Sequence, residues 1–102
     1  MKENVFNQYV DKVINLFGIS RDDLFSKSKK RNLVDARQLL YYLCSKRNIQ
    51  VTYIQKYILE NGYDTVHSTI IHGIAVVESK VKEDRDYESI VNSINLSVFI
   101  SN

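Results

Sequence analysis

NGYDTVHSTIIHGIAVVESKV, residues 61–81, opens on a turn and continues as a helix. Asn61-Gly62 is a turn dipeptide, and Asp64-Thr65 is a helix-start signal. Val66, Ile70, Ile74, Val77 and Val81 then recur every three or four residues, which predicts a long helix over 65–82 with those side chains inward. Upstream, TYIQ at 52–55 has capping-box spacing and predicts a short helix to about Leu59. A short capped helix, a tight turn and a longer helix follow one another in the helix-turn-helix order, here over about residues 52–82.

The rest of the chain reads as more helix. Val5, Tyr9, Val13, Ile14 and Phe17 fall at helical spacing over 3–17, and Gly18 stops them. SRDD at 20–23 resembles a capping box and predicts a short helix over about 21–25, with Leu24 and Phe25 inward. SKSKKRN, 26–32, holds no apolar residue and reads as a loop. Asn32 is the expected cap of the next helix, with Asp35 in its first turn. Leu33, Ala36, Leu39, Leu40, Leu43 and Cys44 make that helix's apolar stripe, as far as about Lys46. Asp84 caps a last helix with Tyr87, Ile90, Val91 and Ile94 inward, and the tail LSVFISN is apolar enough to pack. The expectation is an all-α, compact six-helix domain occupying residues 1–102 as a single unit.

Composition agrees. The chain has 102 residues, no proline and three glycines, too few turn formers for an all-β fold. Hydrophobic residues make up 44%, enough for one modest core. Cys44 stands alone in an apolar run, which excludes an intrachain disulfide and a Cys-x-x-Cys zinc site and reads as a buried, inert thiol. The N-terminus has no signal-peptide core, and no apolar run approaches a membrane span of about 20 residues. The net charge of +2 hides an asymmetry. Residues 1–51 carry ten Lys/Arg against five Asp/Glu, and residues 52–102 carry four against seven. A basic half of this kind points to a polyanion-binding face.

Both histidines lie in HSTIIHG, 67–73. His67 and His72 are five residues apart, roughly 140° around a helix, so they diverge instead of chelating one ion. Ser68 adjoins His67 and cannot face it, and no Gly-x-Ser-x-Gly elbow or phosphate-cradling glycine loop is present. Neither an enzyme nor a cofactor has support. Ser68 and His72, with Thr65 and Ala75 near the edge, fall opposite the apolar stripe, while His67 and Thr69 flank it. In a helix-turn-helix these first residues meet base edges in the major groove. Hydroxyls donate or accept there, and threonine methyls meet thymine methyls. The basic run Lys27, Lys29, Lys30 and Arg31 precedes a helix carrying Arg37, with Lys46 and Arg47 at its far end. Such clusters suit phosphates, because each cation releases counterions.

Three segments resemble the C-terminal DNA-binding domain of the bacterial replication initiator DnaA family. FGISRDDLFSKSKKR, 17–31, resembles its helix, short helix and basic loop. ARQLLYYL, 36–43, is similar to its "PRQ" helix, and HSTIIHG to its signature H-T-T-V-L-H-A. The resemblance runs over about residues 10–94. It implies a Trp-repressor-like fold that binds double-stranded DNA, with the helix-turn-helix in the major groove and the basic loop at the minor groove. It makes Arg31 the minor-groove candidate and Arg37 a backbone or base contact. Lys27, Lys29 and Lys30 become phosphate contacts, His67, Ser68 and Thr69 the signature contacts, and His72 a peripheral one. Asp64 stands in for the family's acid beside the histidine. The chain departs from the pattern in four places. The run before His67 is two residues longer, Tyr63 stands where an arginine is expected, Ala36 replaces a proline, and Asp35 adds a negative charge near the DNA face. The initiator's ATPase domain is not in these residues, so DNA binding without nucleotide, cofactor or membrane is expected, in the cytoplasm on the nucleoid. The expected role is replication initiation or its regulation, or transcription regulation. A stand-alone protein of this size fits a phage or mobile element, and Met1 favours a natural start over a domain cut from a longer chain. The alternative is a protein-interaction module of the same fold. It would dock a replication or transcription protein through the acidic half, the tail at 96–100, or Tyr41, Tyr42, Tyr53, Tyr57 and Tyr63.

Overall fold

The computed structural model describes residues 1–98, so part of the apolar tail read above, 99–102, lies outside the described residues. Within them the chain is all helix and connection: α1 (Lys2–Phe17), α2 (Arg21–Leu24), α3 (Arg31–Lys46), α4 (Val51–Glu60), α5 (His67–Glu83) and α6 (Arg85–Ser97). The local chemistry of the ends explains most of these bounds. Gly18 takes φ 64° and ends α1, a conformation open to glycine without steric penalty. At α2 the Asp23 N–H donates to Ser20 Oγ at 3.0 Å and the Ser20 N–H to Asp23 Oδ2 at 3.5 Å, the reciprocal pair that the sequence predicts. Asp84 Oδ1 accepts from the N–H groups of Asp86 (2.9 Å) and Tyr87 (3.2 Å) and so starts α6.

Three starts differ from expectation. The first helical residue of α3 is Arg31, one position before the expected cap, so Asp35 falls in the second turn and the first turn holds no acid. Helix α4 begins at Val51, one residue before Thr52, and has no side-chain cap. Helix α5 begins at His67, so Thr65 and Val66 precede it in the connection.

Helix α3 is the hub. It packs on α1, α2, α4 and, most extensively, α5, while α6 closes over α5. Its predicted stripe is buried throughout, and Tyr41 and Tyr42 are buried with it. Leu39, Leu40 and Leu43 are each at most 1% exposed, and sequestering each is worth about 1.5–3 kcal/mol. Val5, Phe6, Tyr9, Val10 and Val13 of α1 fill the other side of the core, and Leu24 and Phe25 point inward as expected. The crossing of α3 and α5 is tight at Gly73, where a β-carbon would lie 2.8 Å from Tyr41 Cδ2 and 3.1 Å from Gln38 Cγ. At the far end of α3, Arg47 Nη2 donates to the carbonyls of Val98 (2.7 Å) and Asn95 (3.2 Å) and pins α6. Arg47 is therefore a brace of the fold and not part of the basic cluster. Two predicted inward residues are exposed: Ile90 at 43% and Val66 at 56%.

Candidate nucleic-acid interface

From Ser26 to Lys29 the loop between α2 and α3 alternates between half-buried and exposed residues. Ser26 and Ser28 turn toward the protein, and Lys27, Lys29, Lys30 and Arg31 are exposed. Serine hydroxyls build the turns. Ser26 Oγ donates to the Asp23 carbonyl (2.8 Å) and accepts from the Ser28 N–H (3.3 Å), and Ser28 Oγ accepts from the Lys30 N–H (3.3 Å). The exposed cations gather at the N-terminal end of α3. Positive charge is disfavoured at the positive end of a helix dipole. Their placement thus weakens the isolated fold slightly and favours an anion there.

Arg37 departs from its expected role. The resemblance makes it a DNA contact, but it is 4% exposed and its guanidinium faces inward. Nε donates to the Leu24 carbonyl at 2.7 Å, Nη1 to that of Ser28 at 2.8 Å, and Nη2 to those of Ser26 at 2.7 Å and Asp23 at 3.4 Å. The ring of Tyr63 covers it, with Cζ 4.7 Å from the ring centroid. One side chain thus ties together the end of α2, the loop and the turn before α5. Arg37 shapes the surface that presents the lysines. Its sequence position carried the signal, since it lies four residues after Leu33 and three before Leu40, on the buried stripe itself.

The turn before α5 is braced from two directions. Asn61 Oδ1 accepts from Arg21 Nη2 (3.0 Å) and Nε (3.2 Å), while Asn61 Nδ2 donates to the Tyr57 carbonyl (2.7 Å). Four residues on, Gln55 Nε2 donates to the Thr65 carbonyl at 2.8 Å. Periodicity reveals neither Gln55 nor Tyr63 as a support, because their partners come from other elements. Thr65 is buried, whereas the sequence puts it at an exposed edge.

Beyond that brace, Asp64, Val66, His67, Ser68 and Thr69 are exposed in succession, and His72 is exposed one turn later. Lys29, Arg37, Thr69 and His72 line one cleft of about 80 Å³ between the loop and α5, with Tyr41 and Tyr63 in its wall. The fold therefore sets Lys29 of the basic loop beside the first turns of α5, at Thr69 and His72. Asp35, the acid expected to disturb this face, lies 3.6 Å from Lys80 Nζ on the second half of α5.

Comparison with known proteins bears on this geometry. A family model described as the bacterial DnaA protein helix-turn-helix matches residues 7–77. Among curated proteins, the chromosomal replication initiator protein DnaA of Oleidesulfovibrio alaskensis is 30% identical over 88 residues, 85% of this chain and 18% of that protein. That of Lachnoclostridium phytofermentans is 29% identical over 84 residues, 81% of this chain and 18% of its own length. That of Flavobacterium psychrophilum is 28% identical over 99 residues, 93% of this chain and 20% of its own. The chain spans about a fifth of the length of the curated relatives it matches.

Proposed function

Because this chain belongs to the bacterial DnaA helix-turn-helix family, we propose that it binds double-stranded DNA sequence-specifically through α5 and the loop at 26–30. The first turns of α5 enter the major groove, where His67, Ser68 and Thr69 meet base edges. Lys27, Lys29 and Lys30 contact phosphates, Arg31 reaches toward the minor groove, and Asp64 and His72 flank the contact. The observation that carries this reading is the juxtaposition of the exposed Lys29 of the basic loop with Thr69 and His72 of α5 across one small cleft. The relatives are chromosomal replication initiator proteins, and the proposed role of this chain is replication initiation or its regulation. Binding is the activity assigned to these residues, with no catalytic step.

A protein-interaction role draws on a different face. Leu16 (47% exposed) and Ile90 (43%) border a groove of about 520 Å³ between α1 and α6. A salt titration of duplex binding separates the two readings. Phosphate contacts predict a steep linear fall of log K with log salt, and replacing Lys29, Lys30 and Arg31 by glutamine flattens the slope by about two to three. An affinity weaker than about 100 μM for every duplex at physiological salt, the weak end of nonspecific binding, would overturn the DNA reading.

A further inference from the structure

Val66 occupies the cap position of the reading helix without acting as a cap. Its carbonyl accepts the first helical bonds, from the N–H groups of Thr69 (3.1 Å) and Ile70 (3.3 Å). Its side chain makes no capping hydrogen bond. Ser, Thr, Asp or Asn there would satisfy a first-turn N–H, and valine forgoes that stabilisation. Nor does burial compensate, because the side chain is 56% exposed. Val66 matches the apolar spacing of α5 only by number, since it precedes the first helical residue. Neither local structure nor the core accounts for an isopropyl group at this point.

Its surroundings say what fits it. From 64 to 69 it is the one exposed apolar residue, among exposed Asp64, His67, Ser68 and Thr69. A lone methyl pair in a polar row is too small for a protein-docking patch. In the major groove, however, the apolar feature of the base edges is the C5 methyl of thymine. The side chain is also prepared for such a contact. Valine is stiff at χ1, and the Gln55 bond to the Thr65 carbonyl fixes the backbone one residue earlier. We infer that Val66 reads a thymine by packing its isopropyl group on the 5-methyl. The inference rests on the DNA reading above and adds to it a specificity determinant at the leading edge of α5.

The test begins with a preferred duplex selected from random-sequence DNA. Each thymine in it is then replaced singly by deoxyuridine, which removes only the methyl. At one position the wild-type chain should lose about fourfold in affinity, the worth of one buried methyl group. Val66→Ala should bind the thymine duplex about fourfold more weakly, show no difference between thymine and uracil at that position, and keep the wild-type salt slope. A purely structural role for Val66 would weaken both duplexes alike and preserve the discrimination. The inference is overturned if no uracil replacement weakens the wild-type chain, a measurement that needs no variant, or if Val66→Ala still discriminates in full. Duplex binding would persist in those cases and leave the DNA reading standing. An absence of duplex binding by the wild-type chain would remove both together.

Discussion

Arg37 places its guanidinium in a space bounded by the carbonyls of Asp23, Leu24, Ser26 and Ser28. The planar fork sends donors in several fixed directions, which the point charge of a lysine cannot do. Arg37→Lys should therefore lower stability by about 2–3 kcal/mol, because buried carbonyls lose charged partners. It should also weaken DNA binding although a positive charge is kept, and open the 26–30 loop to proteolysis. Chemical denaturation and limited proteolysis check this, and a variant as stable and protease-resistant as the wild type would refute the bracing role. The residue also marks where sequence reading failed. Arginine at a buried-stripe position signals charge in the sequence, and carbonyl acceptors on a neighbouring loop leave no trace in helical periodicity. Val66 failed in the converse way: its spacing fits the stripe, but periodicity has no meaning before the first helical residue.

Helix α5 owes its position to Gly73. With no β-carbon there, the helix lies directly on Tyr41 and Gln38 of α3. Gly73→Ala improves helix propensity by about 1 kcal/mol but drives a methyl into the buried Tyr41 ring, an overpacking that costs about 1–3 kcal/mol. The expected net effect is a lower melting temperature. DNA affinity should fall further than stability alone explains, because the start of α5 tilts away from the loop. A thermal melt beside a binding isotherm checks both, and an unchanged melt with unchanged affinity would show the crossing to be looser than described. At this scale the sequence was most legible. Capping residues at Ser20 and Asp84, the stop at Gly18 and the polar run as far as Lys30 are local signals with local consequences, although Arg31 and Asn32, read as loop, open α3. The cap of α4 lies at Gln50, two residues before Thr52, because TYIQ has the right spacing without the reciprocal hydrogen bonds.

Across the whole molecule, buried hydroxyls and the single thiol tie stability to alkaline pH. Burial raises Tyr9 and Tyr41 from 10.0 to about 12, with the Tyr9 hydroxyl donating to Asn95 Oδ1 at 2.8 Å, and burial pushes the Cys44 thiol above its ordinary 9.0. These groups fold in their protonated forms. Their contribution is complete below the unfolded values and is lost as pH rises through them toward the folded ones. The denaturant midpoint should hold steady to about pH 8 and fall progressively between about pH 9 and 12, the Cys44 contribution going first. A midpoint unchanged at about pH 11 would contradict the burial of these side chains. The asymmetry of charge was plain in the sequence, and the geometry that makes it a surface was not. Only the packing of α3 on α5 sets Lys29 of the basic loop beside Thr69 and His72 of α5.

The loop at 26–30 is held by its serines, its backbone and Arg37, and among the described residues the side chains of Lys27, Lys29 and Lys30 take no part in any hydrogen bond or ion pair that secures it. It is in effect a socket: the mounting is fixed while the three outward positions are free to be refitted. Those positions are where an engineer, or selection, can retune grip strength without redesigning the scaffold beneath or disturbing the base-reading face of α5.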